Sequence, residues 1–238
     1  VAALKNAGQP VVTIHLKDEY DLGGEFFRWE MATAIAGYFL KINPFDQPNV
    51  EAAKVLARKM VDEYQKTGAL PKLEPAFTEE NMAVFTEEKA TDLQAVLRQF
   101  LSPNQDKEKR PYVAIQAFIP STAETSEALQ TFRTAIQKKY RVATTVGYGP
   151  RFLHSTGQLH KGDGGNGLFI QITADPENDT PIPDKPGEAE SRISFGLLAS
   201  AQALGDRQAL LDAGRSVVRF HLGPDILGGV KTLTKGVK

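Results

Sequence analysis

Apolar residues recur along this chain with two periods, and the period shows where helices and strands lie. From Val50 they fall at Val50, Ala53, Leu56, Ala57, Met60, Val61 and Tyr64, the three-and-four spacing of a helix with one buried face. Pro48 suits the first position of that helix, where its missing N–H is no loss, so the cap falls on Gln47 or Asn49. Upstream, residues 25–40 are apolar on nearly every side (Phe26, Phe27, Trp29, Met31, Ala34, Ile35, Tyr38, Phe39), which predicts a buried helix. Residues 1–8 read as a helix end stopped by Gly8. Residues 10–16 (PVVTIHL) are β-branched and apolar on both faces, as in a strand of a buried parallel sheet. Asn43 before Pro44 opens a turn between the two longer helices.

The second half alternates period two with period 3.6. Strands are predicted at 112–118, 141–146, 167–173 and 216–222, and helices at 91–101 (capped by Thr91 or Asp92), 123–139 and 193–213. The stripe on helix 123–139 is Ala128, Leu129, Phe132, Ala135 and Ile136. Such alternation argues for a mainly parallel sheet flanked by helices. Residues 69–90 are proline-bearing and aperiodic and mark a boundary, within which Met82, Val84 and Phe85 could form a short strand. Segment 175–190 reads as a polar surface loop and residues 226–238 as a tail, partly ordered at most.

At 41% hydrophobic and 24% charged residues, the composition is globular. A net charge of −1 carries no basic footprint for nucleic acid or a membrane surface. With no cysteine, the chain has neither a disulfide framework nor thiolate chemistry, which fits the cytoplasm. No secretory signal appears, and the apolar run Phe26–Ile42 is interrupted by Arg28 and Glu30 and too short to span a bilayer. The chain opens on Val1 in what reads as a helix tail, so a fragment of a longer protein is expected.

Candidate chemistry gathers in two places. Gln47 and Lys54, seven residues apart, project from one side of the proline-started helix about 10 Å apart along its axis. An amide and an ammonium at the positive end of a helix suit an anionic, hydroxyl-rich ligand. Glu51, three residues before Lys54, can orient its ammonium. An ordinary capped surface helix with an ion pair accounts for the same residues. The second place is GYGPRFLHSTGQLHKGDGGNG, residues 147–167. A short helical piece, 152–161, carries Ser155, Thr156, Gln158, His160 and Lys161, and the glycines after it let backbone N–H groups converge on an anion. A tight polar loop between strands is the alternative. His154 and His160 lack metal-pair spacing, and no phosphate-loop or dinucleotide fingerprint is present. The acidic turn Asp18, Glu19, Asp21 precedes a helix and reads as helix-end electrostatics, not metal. His15 and His221 read as packed strand histidines, and Glu30 as a buried carboxylate in need of a partner such as Arg28 or Lys41.

Phe45, Asp46, Gln47, Val50, Glu51 and Lys54 resemble, residue for residue, the C-terminal signature FDQ-x-GVE-x-x-K of the phosphoglucose isomerases; Asn49 stands where that family has Gly. Trp29–Glu30, Gly37 and Ile42–Asn43 resemble the residues preceding that signature. HSTGQLHKG, with GYGPR before it and FGLLASAQALGD after a later strand, resembles the region following the isomerase part in bacterial fusions of transaldolase with phosphoglucose isomerase, although the loop after HKG differs. LHKG is also similar, over a short span, to the family segment carrying the ring-opening histidine, which would give His160 that role.

The resemblance implies a fold and an activity. Residues 1–75 would end a sugar-isomerase parallel-sheet domain, 91–225 would form an additional α/β domain, and 226–238 a tail. The activity implied is interconversion of glucose 6-phosphate and fructose 6-phosphate by ring opening and enediol proton transfer, without metal, nucleotide or other cofactor. Lys54 would assist ring opening and Gln47 would seat the phosphate; Glu51 and, from the donors of segment 147–167, Ser155 and Thr156 are the further candidates for contact with substrate. The family's glutamate base comes from upstream, so little or no activity is expected of this chain alone. Association with a missing isomerase or transaldolase portion, and a homo-oligomer, follow as expectations. A non-catalytic sugar-phosphate-binding module and an assembly domain are the alternatives.

Overall fold

The computed structural model describes residues 1–46, 48–102 and 111–237. Its contacts form two units, Val1–Asp46 and Gln47–Lys238.

The first unit is helical. Helix α1 (Ala2–Asn6) ends ahead of Gly8, whose φ of 71° is the expected left-handed stop. Helix α2 (Asp21–Leu40) closes on Lys41, itself left-handed at φ 57°. The Asn43 side chain then accepts from the Phe45 N–H at 3.1 Å and donates to Asp46 at 3.0 Å, the side-chain-closed turn foreseen before Pro44. Two expectations are corrected. Residues 10–16 form no strand, and Val12 is 87% exposed; a strand is held by hydrogen bonds to a neighbour, and among the described residues of this unit there is none. Helix α2 is not buried: Phe26, Phe27, Trp29, Tyr38 and Phe39 are all exposed. Glu30 is exposed with them, while Arg28 pairs with Glu25 instead, at 2.5 Å.

The second unit is α/β. Strands β1 (Phe77–Glu79), β2 (Met82–Phe85), β3 (Tyr112–Phe118), β4 (Ala143–Tyr148), β5 (Gly167–Ala174) and β8 (Ser216–Leu222) make one sheet in the order β1-β2-β8-β5-β3-β4. The four strands from β8 to β4 are parallel; β1 and β2 add an antiparallel edge. Strands β6 (Pro181–Ile182) and β7 (Ile193–Ser194) pair separately, within the loop expected at 175–190 and just beyond it. Helices α3 (Pro48–Thr67), α4 (Leu93–Leu101), α5 (Ala123–Tyr140), α6 (Thr156–Gly162), α7 (Phe195–Asp212) and α8 (Ile226–Val237) complete the unit. The mainly parallel, helix-flanked α/β fold is the one the alternation predicts.

Helices α4 and α5 are capped by side chains. Asp92 accepts from Ala95 N–H at the start of α4, and Thr122 and Thr125 form a reciprocal capping box on α5. The segment expected as a tail is α8 instead: Val230, Leu233 and Val237 are buried in the core and Ile226 packs against it. Their four-three-four spacing is helical, but surrounding glycines and lysines hide it.

The two faces of the sheet differ in chemistry. Val113, Ile115, Ala117, Leu168, Ile170, Ile172, Val218, Phe220 and Leu222 share one core with the apolar faces of α4, α5 and α8. On the other face the register aligns Gln116 with Gln171, Gln171 with Arg219, and Arg219 with Phe85, a polar row across the central strands. Helix α7 packs on this face, with Ala203, Ala209 and Leu210 buried, and α3 packs on α7.

Candidate functional site

Helix α3 starts at Pro48, which puts Asn49 inside the helix. Gln47 lies outside the described residues, as does the Glu51 side chain. Lys54 is exposed. The stripe partners Leu56, Ala57, Met60, Val61 and Tyr64 are half-buried, and α7 approaches on Ala57: a Cβ on Gly205 would lie 3.0 Å from the Ala57 nitrogen. Burial of the stripe thus leaves Lys54 on the solvent side.

Segment 147–167 folds as a 3-10 turn, Arg151–His154, followed by α6. Ser155 and Thr156 are exposed, and Ser155 Oγ donates to the Phe152 carbonyl at 3.3 Å. His160 points inward. Its Nδ1 lies 3.1 Å from the Gln116 amide nitrogen, and Phe169, Phe152 and Tyr112 surround the ring at centroid distances of 5.0, 5.9 and 6.4 Å. Burial, and then the neighbouring Lys161 charge, lower its pKa to about 4, so it is neutral at pH 7. Lys161 is also buried: its Nζ donates to Asp206 Oδ1 at 2.6 Å and to the Gly157 carbonyl at 3.2 Å. Burial raises the Asp206 carboxyl pKa while the Lys161 charge opposes it.

The glycine-rich turn after α6 does enclose an anion, but one belonging to the chain. Asp163 accepts from the Tyr112 hydroxyl at 2.6 Å and the Gly165 N–H at 2.9 Å, and pairs with Arg215 at 3.1 Å. Gly165 adopts φ 80°, where a side chain is strained. Arg215 also donates to the Lys161 and Asp163 carbonyls, both at 2.8 Å. Arg215 thus ties this loop to the start of β8.

A wider concavity lies elsewhere. A cleft of about 470 Å³ opens beyond the carboxyl ends of β3 and β5, lined there by Phe118, Pro120, Thr173 and Asp175 and closed by Leu204 of α7 and Leu70. Arg219 and His221 of β8 line it as well. Arg219 Nε donates to Thr173 Oγ1 at 3.1 Å, and its guanidinium lies 4.8 Å over the Phe85 ring. Thr173 Oγ1 is 3.0 Å from His221 Nδ1, and His221 Nε2 is 3.5 Å from Asp175. One assignment satisfies all three contacts: Arg219 donates to Thr173, Thr173 to Nδ1, and the Nε2–H faces Asp175. Burial, then the Arg207 charge, bring the Arg219 pKa down to about 10, and burial with Arg219 lowers that of His221.

Lys54, Ser155, Thr156 and His160 do not line this cleft. Sequence reading passed over Arg219, Thr173 and Asp175. The available signal was positional: Gln116, Gln171 and Arg219 interrupt three apolar strands at registered places, and a polar residue repeated across a sheet marks a face that is not all core. Among the described residues no group of three His, Asp or Glu side chains could hold a metal ion, and no helix is long and apolar enough to cross a membrane.

No family model matches the chain. A 56-residue stretch, 23% of the chain, is 50% identical to glucose-6-phosphate isomerase of Limosilactobacillus reuteri (strain DSM 20016). A 43-residue stretch is 49% identical to glucose-6-phosphate isomerase of Streptococcus pyogenes serotype M18 and covers 18% of the chain. These matches span only 12% and 10% of the two relatives' own lengths. Among solved structures, a hypothetical protein of Thermus thermophilus aligns over 59% of this chain and 38% of its own, at 16% identity and a TM-score of 0.46. The chain thus contains a stretch related to the glucose-6-phosphate isomerases that occupies less than a quarter of it.

Proposed function

We propose that the chain is part of an aldose–ketose isomerase that interconverts glucose 6-phosphate and fructose 6-phosphate. The observation that carries this reading is the stretch half identical to glucose-6-phosphate isomerase, together with the signature Phe45, Asp46, Gln47, Val50, Glu51 and Lys54. Lys54 acts on the substrate oxygens: an exposed ammonium on a flexible stem follows a moving proton better than a fixed guanidinium. Gln47 seats the phosphate where the backbone N–H groups opening α3 favour an anion.

Proton transfer between C1 and C2 also needs a carboxylate base poised near neutral pH, which this reading places outside the chain. Fusion to a transaldolase is the finer form of the proposal, supported by the sequence pattern of residues 147–167 and 195–206.

Calorimetry with fructose 6-phosphate, alongside a coupled assay for glucose 6-phosphate, tests the reading. The chain is expected to bind the sugar phosphate with little or no turnover, and Lys54→Ala to weaken binding about tenfold or more. Equal affinity in Lys54→Ala, or full turnover by the chain alone, contradicts it.

A further inference from the structure

We propose that the cleft beyond the carboxyl ends of β3 and β5 is a second site, which binds a small organic anion with its oxyanion against Arg219 and Thr173. The anion's apolar body lies along Leu70, Phe118, Pro120 and Leu204.

Arg219 is the anchor. A guanidinium presents five N–H donors, and the contact made here within hydrogen-bonding distance is Nε to the neutral Thr173 hydroxyl. Among the described residues no carboxylate stands within ion-pair distance of it. The charges facing Arg219 come from three elements. Arg207 of α7 is a second cation, with a buried Nε that has no hydrogen-bond partner. His221 on the same strand is held towards its neutral form. Asp175, after β5, is the one carboxylate acting on Arg219, and it is 85% exposed and turned to His221. Glu87 offsets the Arg207 charge in part, but a half-buried Arg219 whose one acting carboxylate is exposed favours a bound anion, because desolvating a cation with a weak counter-charge is costly.

Shape and position agree. A volume of about 470 Å³ falls in the range of small-molecule pockets, which pair apolar walls with a few placed polar groups. Parallel α/β sheets bind ligands outside the carboxyl ends of their strands. The N-terminus of α7 does not supply the attraction, because Asp179 already accepts from Gly196 N–H at 2.7 Å and Ser194 caps Leu197. Lys54 does not line this cleft.

The test is calorimetry of the full 238-residue chain with phenyl phosphate, benzoate and inorganic phosphate. At least one aromatic anion should bind more tightly than inorganic phosphate, and the preferred one tells a phosphate site from a carboxylate site. Arg219→Gln should weaken that binding about tenfold or more, Arg219→Lys should restore part of it, and Lys54→Ala should leave it unchanged. Should Arg219→Gln not fold, amide shift mapping on the unaltered chain decides: perturbation at Gly149, Thr173, Asp175 and Gly196 supports the site. Absence of binding by either aromatic anion overturns it. So does equal affinity in folded Arg219→Gln, loss of binding in Lys54→Ala, or shifts confined to other residues.

Discussion

Lys161 and Asp206 show how a residue read as a ligand donor becomes part of the fold. Both side chains are buried and meet at 2.6 Å, and Asp206 Oδ2 has no partner among the described residues. Removing one member strands the other charge, so Lys161→Met should cost about 3–5 kcal/mol in urea unfolding at pH 7. The double variant Lys161→Met/Asp206→Leu should recover much of that loss; a double variant as unstable as the single one contradicts the assignment. His160 makes a pH prediction. Its folded pKa is lowered to about 4 from an ordinary value of 6.5, so between those values the unfolded chain binds more protons. Its contribution is therefore complete above pH 6.5 and is lost as pH falls towards 4, on the order of 3 kcal/mol. His221 is shifted in the same direction. His160→Gln should flatten the slope of stability between pH 4 and 6.5, measured by urea unfolding at several pH values; an unchanged slope refutes this. None of these partners is near in sequence: Lys161 meets Asp206 across 45 residues and His160 meets Gln116 across 44. Spacing rules see only the local donors, which explains why this loop reads as an anion site.

At the scale of elements, helices and central strands were legible because their periodicity is local. Strand β3 and strand β8 fall where the pattern puts them, while β4 starts two residues late because Arg141 is the left-handed end of α5. The misses depended on partners. Residues 10–16 have strand composition but no neighbouring strand, and the stripe of α8 is diluted by Gly228, Gly229 and Gly236. Helix α7 shows how context sets a single residue. A mid-helix glycine costs about 1 kcal/mol relative to alanine, yet Gly205 lies where the α3 backbone comes within 3.0 Å of an added Cβ. Gly205→Ala should therefore fail to deliver the propensity gain, and Gly205→Val should lose about 1–3 kcal/mol by overpacking the α3–α7 contact. Thermal unfolding of the two variants checks this. A rise in Tm for either would mean that α3 does not depend on this close approach.

In the second unit the two faces of the sheet differ in kind. One face is apolar and covered by α4, α5 and α8; the other carries the row Gln116, Gln171 and Arg219 and opens into the cleft. The α/β class could be read from the strand–helix alternation, but the cleft could not, because it is assembled from strand ends far apart in sequence. The isomerase-like signature was legible as a motif, and its lysine stands exposed on α3. The two proposals thus name two places, Lys54 for a sugar phosphate and Arg219 for an organic anion. Amide shift mapping of the full chain titrated with fructose 6-phosphate tests this most directly. The prediction is that shifts gather in the first turns of α3 around Lys54 and disappear in Lys54→Ala. Shifts confined to Thr173, Asp175 and Arg219, or none on α3, would contradict the isomerase reading.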